Sequence, residues 1–222
     1  GGSDNLHGGE GLDTVVYSGD FKDYKYTRTT NYLTSINISD ETSKDNLYNF
    51  DFIQFNDQTV EESKVDIVKN FKGSFSDYKF YNKGNNIYHI KTDNGYDDIT
   101  GFPMLNFSDK SISAITDIKG TFDQVTGLNT DSGEMFRLYN AAFARFPDAD
   151  GLKYWIDQFT SGRNTRRVVA QSFLGSAEFT KKYGGNVSDE TYVNNLYKNV
   201  LGRDADTLGL NYWVGNLRNG IE

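Results

Sequence analysis

The chain of 222 residues has no cysteine, only two prolines and only two histidines. The absence of cysteine removes disulfides, thiolate nucleophiles and thiolate metal ligands together. No run of about 18 apolar residues exists, so nothing in the sequence reads as a membrane-spanning helix. Basic residues are outnumbered, 23 Lys and Arg against 31 Asp and Glu for a net charge of −8, which excludes a basic nucleic-acid-binding face. His7 sits in a glycine-rich stretch and His89 in a predicted strand, with no His-x-x-x-His and no Gly-x-Ser-x-Gly. Carboxylate pairs such as Asp97-Asp98 fall in turns with nothing beside them to perturb a pKa. The expectation is a chain without catalysis. Aromatic residues are plentiful, 15 Tyr and 16 Phe, and supply the volume of a folded core.

The front of the chain repeats every nine residues: Gly2-x-Asp4-x-Leu6-x-Gly8-Gly9-x-Gly11-x-Asp13-x-Val15. Glycines allow the tight turn and let carbonyls converge, aspartates offer the hard anionic oxygen that calcium prefers, and Leu6 and Val15 point inward from short strands. Gly2, Asp4, Gly9, Gly11 and Asp13 are therefore the candidate calcium residues, at about 2.3–2.6 Å from any bound ion. This stretch resembles the hemolysin-type (RTX) nonapeptide of bacterial proteins exported by type I secretion. The resemblance extends through Asp13-Thr-Val-Val-Tyr-Ser-Gly19, Asp23-Tyr24 and Leu47 to Val60. It implies a parallel calcium roll running into β structure. With neither an initiator Met nor a signal-peptide pattern, the chain reads as a piece of something longer.

Short β-branched and aromatic runs follow at Tyr24-Lys-Tyr26, Leu33 to Ile38 and Phe52 to Phe55, and again at Tyr78-Lys-Phe80, Ile87 to Ile90 and Met104 to Phe107. Period-two alternation with regular turn signals predicts two tandem antiparallel modules. Phe21-x-Asp23-Tyr24 returns as Phe75-x-Asp77-Tyr78, while Phe55 and Asp57 return as Phe107 and Asp109. Lys64 to Val68 aligns with Asp13 to Val16 but lacks its glycines, so the second module keeps the β fold without the calcium repeat. Pro103 places its strand at an edge or a bulge. Tyr24, Tyr26, Tyr32, Tyr78 and Tyr88 offer faces for stacking on sugar, but alternation puts such residues in the core.

From Asp131 the hydrophobic period becomes 3.6. A unit of 58 residues (Tyr139 to Tyr197) is written twice: Leu138-Tyr139, Arg145, Asp148, Gly151-Leu152 and Tyr154-Trp155 recur as Leu196-Tyr197, Arg203, Asp206, Gly209-Leu210 and Tyr212-Trp213. Asp148-Ala-Asp150-Gly151 starts like an EF-hand loop, but Leu152 occupies the third ligand position, so a helix cap is expected instead. Arg145/Asp148 and Arg203/Asp206 should fix the corner between helices, and Trp155 and Trp213 should be core residues. The string from Leu196 to Trp213, with Ser176-Ala-Glu178-Phe179, is similar to a bacterial helical domain of unknown function. That domain is often appended to RTX exoproteins and is distantly like phycobilisome linkers.

The sequence thus predicts an α+β multidomain chain: a calcium β-roll stub at 1–16, β modules at 17–62 and 63–126, and helical repeats at 131–185 and, truncated, 186–222, with the break between β and α near Thr126 to Thr130. It reads as a non-catalytic segment of a secreted or cell-surface, calcium-associated adhesive or S-layer-like protein. Its expected partners are calcium and a surface glycan or neighbouring chains, with no nucleic acid and no membrane span. The alternative is the accessory C-terminal region of a secreted hydrolase or protease.

Overall fold

A computed structural model describes residues 2–29 and 35–221. Tyr32 and Leu33 of the predicted β runs lie outside the described residues. The chain divides into two compact units, 1–122 and 123–222. The first is β-rich and the second helical, which is the α+β class.

The described residues of the first unit form thirteen short strands. β1 (Asn5–His7), β3 (Lys25–Thr29), β4 (Ser35–Ser39) and β5 (Lys44–Tyr48) form a sheet in the order β1-β5-β4-β3. β2 (Thr14–Val16), β6 (Phe52–Gln54) and β7 (Thr59–Glu61) form a second, in the order β2-β6-β7. The hairpins β3-β4, β4-β5 and β6-β7 are antiparallel, as expected. The two glycine-aspartate strands are not. β1 lies parallel on β5, with Leu6 opposite Leu47, and β2 lies parallel on β6, with Val15 opposite Ile53. The sheets are therefore mixed. Alternation at period two reports which face a residue takes and is silent on the direction of its neighbour.

The second module repeats the plan. β8 (Val68–Asn70) lies parallel on β12 (Met104–Asn106), which pairs antiparallel with β13 (Ser111–Ile112). β9 (Lys79–Asn82), β10 (Tyr88–Thr92) and β11 (Gly95–Asp98) form the antiparallel sheet. The strand equivalent to β2 is thus 68–70, and the alignment of Lys64 to Val68 with that strand was out of frame. β12 is the central strand of its sheet, so Pro103 does not mark an edge. Proline is tolerated because it stands one residue before the strand, where no ladder donor is needed.

Each module is closed by the same device. A one-turn 3-10 helix, Phe21–Asp23 or Phe75–Asp77, starts with a reciprocal capping box: Asp20 with Asp23, and Ser74 with Asp77. The Gly19 N–H donates to the Tyr24 hydroxyl at 3.0 Å, and the Gly73 N–H to that of Tyr78 at 3.2 Å. Phe55 meets Phe21 edge-on at 5.4 Å, and Phe107 meets Phe75 at the same 5.4 Å. Tyr17 and Phe71 stack on the two phenylalanines, Phe55 and Phe107. Phe21, Phe55, Phe75 and Phe107 are buried, Tyr17, Tyr24, Phe71 and Tyr78 are half-buried beside them, and Tyr88 is buried against Phe122.

Module 2, expected to be β throughout, ends in a helix. A π-helical turn, Ala114–Lys119, runs into α1 (Gly120–Asp123) and is capped by Ser113, whose hydroxyl accepts from Ile115 and Thr116. Ala114, Ile118 and Thr121 are its buried face. That spacing is helical, but it is too short for the change of period to stand out.

The second unit contains α2 (Asp131–Phe143), α3 (Ala149–Thr160), α4 (Arg166–Leu174), α5 (Ala177–Tyr183), α6 (Asp189–Leu196) and α7 (Thr207–Arg218). α6 continues as a π-helical segment, Tyr197–Leu201. Thr130, Asp148, Thr165, Ser176, Ser188 and Asp206 are the N-caps, each accepting a backbone N–H on its side chain. The core is Met135, Tyr139, Phe143, Leu152, Val169, Phe173 and Phe179.

Candidate functional site

The glycine-aspartate stretch forms the turns between β1 and β2. Gly9 and Gly11 take φ of +108° and +110°, a region closed to most side chains, so both glycines are required by the turn. Asp13 lies where this turn meets the next. Its N–H donates to Asp51 Oδ2 at 2.8 Å, and its carbonyl accepts from the N–H groups of Asp51 and Phe52 at 3.0 and 3.1 Å. Oδ2 of Asp13 is buried without a hydrogen-bond partner among the described residues. An orphaned acceptor of this kind suits a cation or a water. Asp4 is exposed and contributes its backbone: its N–H donates to Asp45 Oδ1 at 3.0 Å, and its carbonyl accepts from Asn46 at 2.8 Å. Among the described residues, no group of three or more His, Asp or Glu side chains stands where it could hold a metal. The fit to calcium therefore rests on Asp13 with Asp51, a residue that the nine-residue spacing did not single out. In the second module the equivalent positions are Ile67 and Pro103, and the acid pair is gone.

An asparagine ladder runs across the same stack. The side-chain N–H of Asn46 donates to Asn5 Oδ1 at 2.7 Å, and that of Asn37 to Asn46 Oδ1 at 2.8 Å. His7 stacks on Tyr48 at 4.6 Å, in register with it across the parallel pair. His89 belongs to β10, in a different sheet, opposite Asp98.

The repeated residues of the helical unit build one corner twice. Asp148 caps α3 by accepting the Gly151 N–H at 2.7 Å, and Asp206 caps α7 by accepting that of Gly209 at 2.9 Å. Backbone donors hold the Asp206 carboxyl below the usual carboxylate range, Gly209 first. Arg145 reaches Asp148 at 3.5 Å and lies 5.3 Å from the Tyr139 ring centre; Arg203 reaches Asp206 at 3.4 Å and lies 5.2 Å from that of Tyr197. The repeated glycine has a packing reason. A Cβ on Gly151 would stand 2.7 Å from the Tyr139 hydroxyl, and one on Gly209 would stand 2.3 Å from that of Tyr197. The corner is structural in both copies.

The copies differ in what covers them. In the first, Glu178 of α5 clamps Arg145 by two bonds, 2.5 and 2.9 Å, and Phe179 beside it is buried. Trp155 is half-buried and packs edge-on against Phe173 at 5.2 Å. Trp213 is 39% exposed and lines an apolar groove of about 590 Å³ with Tyr197, Leu201, Leu217 and residues of α4. The expectation of two equivalent core tryptophans is corrected for Trp213, because no described residue takes the place of Phe173 in its copy.

The helical region is similar to a family described as Domain of unknown function (DUF4214), which matches residues 121–173 and again 170–222. No curated protein and no solved structure matches the chain.

Proposed function

We propose that this chain is a non-catalytic segment of a secreted, calcium-associated bacterial surface or adhesive protein, its β unit a spacer and its helical unit an interaction module. The observation that carries the reading is the stacking of β1 on β5 and β2 on β6, strand on parallel strand in two separate sheets, with the positive-φ glycines at the turn between them. Parallel stacking of this kind would suit successive coils of a roll, in which calcium would be held at the turns by Asp13, Asp51 and nearby carbonyls. The residues that both units repeat act as caps, corner ties and aromatic closures, as befits modules built to be arrayed. Secretion and the cell-surface setting rest on the RTX resemblance of residues 2–60.

Calcium titration tests the reading. A bound ion that the unfolded chain does not hold raises stability by mass action. Thermal melts at about 10 mM CaCl₂, above the roughly 10⁻⁴–10⁻³ M typical of extracellular modules, should show a higher Tm than melts with equal MgCl₂. Asp13→Asn should abolish the difference. Equal melting in the two salts would remove calcium from the proposal.

A further inference from the structure

The outer face of the sheet β9-β10-β11 departs row by row from its counterpart in the first module, β3-β4-β5. Phe80, Tyr88 and Ile90 are buried on the inner face, so their neighbours along the strands point outward. One outward row is Lys79-Lys91-Tyr96, where the first module has Lys25-Ser39-Lys44. The next is Tyr81-His89-Asp98, where the first module has Thr27-Asn37-Asn46. The same sheet thus forms without rings on this face, and the fold does not account for them.

The lysines are a second departure. Lys79 stands directly opposite Lys91 on the neighbouring strand, a like-charge pairing that destabilises a sheet. The first module avoids it by setting Lys25 opposite Ser39. Lys83 adds a third ammonium: its Nζ lies 5.4 Å from the centre of the Tyr96 ring, and that of Lys91 lies 4.6 Å from it. Among the described residues none of the three lysines pairs with a carboxylate. Asp97, opposite the buried Ile90, lies on the other side of the sheet, and Asp98 accepts the Thr100 N–H at 2.7 Å. Three cations therefore share one face without a counter-charge, on a chain whose net charge is −8.

Tyr96 is 51% exposed and meets Tyr81 edge to face, with 5.2 Å between ring centres. A tyrosine offers an apolar ring and a polar tip. A pyranose, with an apolar C–H face and a rim of hydroxyls, is complementary to such a pair. Carboxylate or sulfate on the sugar would supply the missing counter-charge. An acidic peptide would use the lysines and leave the rings idle. We propose that this face binds an acidic polysaccharide, its pyranose rings on Tyr96 and Tyr81 and its anionic groups on Lys79, Lys83 and Lys91. The inference rests on the surface-protein reading only for where such a ligand is met. It uses neither calcium nor the helical unit, so each proposal can fail alone.

Calorimetric titration of the intact protein with oligosaccharides of hyaluronate, which carry carboxylate alone, and of chondroitin sulfate, which carry sulfate as well, tests it. At least one should bind about tenfold more tightly than neutral dextran. Tyr96→Ala should weaken that binding roughly tenfold. Lys83→Gln combined with Lys91→Gln should weaken it as much and flatten its salt dependence. The melting point of this double variant should not fall, because the exchange also relieves Lys79. Lys25→Gln with Lys44→Gln, at the matching rows of the first module, should change affinity by less than about twofold. Thermal melts of every variant check that it is folded. The proposal is overturned if neither glycan binds, if Tyr96→Ala leaves affinity unchanged, or if the first-module variant loses as much. It is also overturned if polyglutamate binds as tightly, which would make the face a site for acidic peptides.

Discussion

The backbone N–H of Phe21 donates to the carboxylate of Asp57 across 36 positions of chain at 2.8 Å, and Phe75 makes the same bond to Asp109 at 2.8 Å. In each module a turn that follows the central strand thereby fixes the start of the one-turn helix beneath the aromatic cluster.

Removing either carboxylate should leave a helix N-terminus with an unpaired donor. Asp57→Ala and Asp109→Ala should each cost about 1–2 kcal/mol, seen as a lower urea midpoint at unchanged m-value. Asp57→Asn should cost less, because its amide oxygen still accepts.

The two tryptophans should behave differently despite equal places in the repeat. Trp155→Ala should cost about 2–4 kcal/mol, toward the lower part of the range for lost core aromatics because its ring is half-buried. Trp213→Ala should stay within about 1 kcal/mol. Paired thermal melts decide this, and equal losses would contradict the groove.

Arg145 and Arg203 should separate in the same way. Burial draws the Arg145 guanidinium down, but Glu178 and then Asp148 outweigh it and its pKa is raised. Lysine cannot reproduce the two-pronged bond to Glu178, so Arg145→Lys should cost about 1–2 kcal/mol. Arg203→Lys should cost no more than about 0.5 kcal/mol. Chemical denaturation of both variants checks the difference.

Three phenols should resist alkali. Burial, and then the charges of Asp45, Asp57 and Asp148, hold Tyr17, Tyr26 and Tyr139 above the ordinary tyrosine value. A folded-state value raised in this way contributes stability that is intact below about pH 10 and is lost as pH rises beyond it. Titration at 295 nm should show these phenols ionising only with unfolding, after the exposed members of the 15 tyrosines. Tyr26→Phe should remove one of the late phenols.

Much of this architecture was legible in the sequence, and the misses share a cause. The cap at Asp148 was legible because capping is chemistry between a side chain and a backbone group two or three residues away. The duplication of the β modules was legible because Phe-x-Asp-Tyr brings its own turn and ring. The parallel partners of β1 and β2 were not, since no local residue reports the direction of a strand some 40 positions away. Asp51 escaped notice for the same reason: it joins Asp13 only when one turn stacks on another. Trp155 and Trp213 differ in exposure although the repeat gives them equal places, because identical residues are buried or bare according to which helix packs on them. The helix at 114–123 did leave a trace, in Ser113 followed by Ala114, Ile118 and Thr121, that a shorter window would have caught.

Two copies of one module on one chain also create a sorting problem during folding. β2 requires a strand like β6, and β12 offers much the same backbone, so the chain can close the wrong pair before the right one. Tandem repeats commonly misassemble in this way. The Asn70–Asn106 side-chain bond, in register at the end of β8 and β12, discriminates between the outcomes. Exchange would set Val16 against Asn106 and leave Asn70 facing Gln54. The divergence between the copies thus acts as an address label, and making them identical would be expected to slow recovery of the native state rather than to strengthen it.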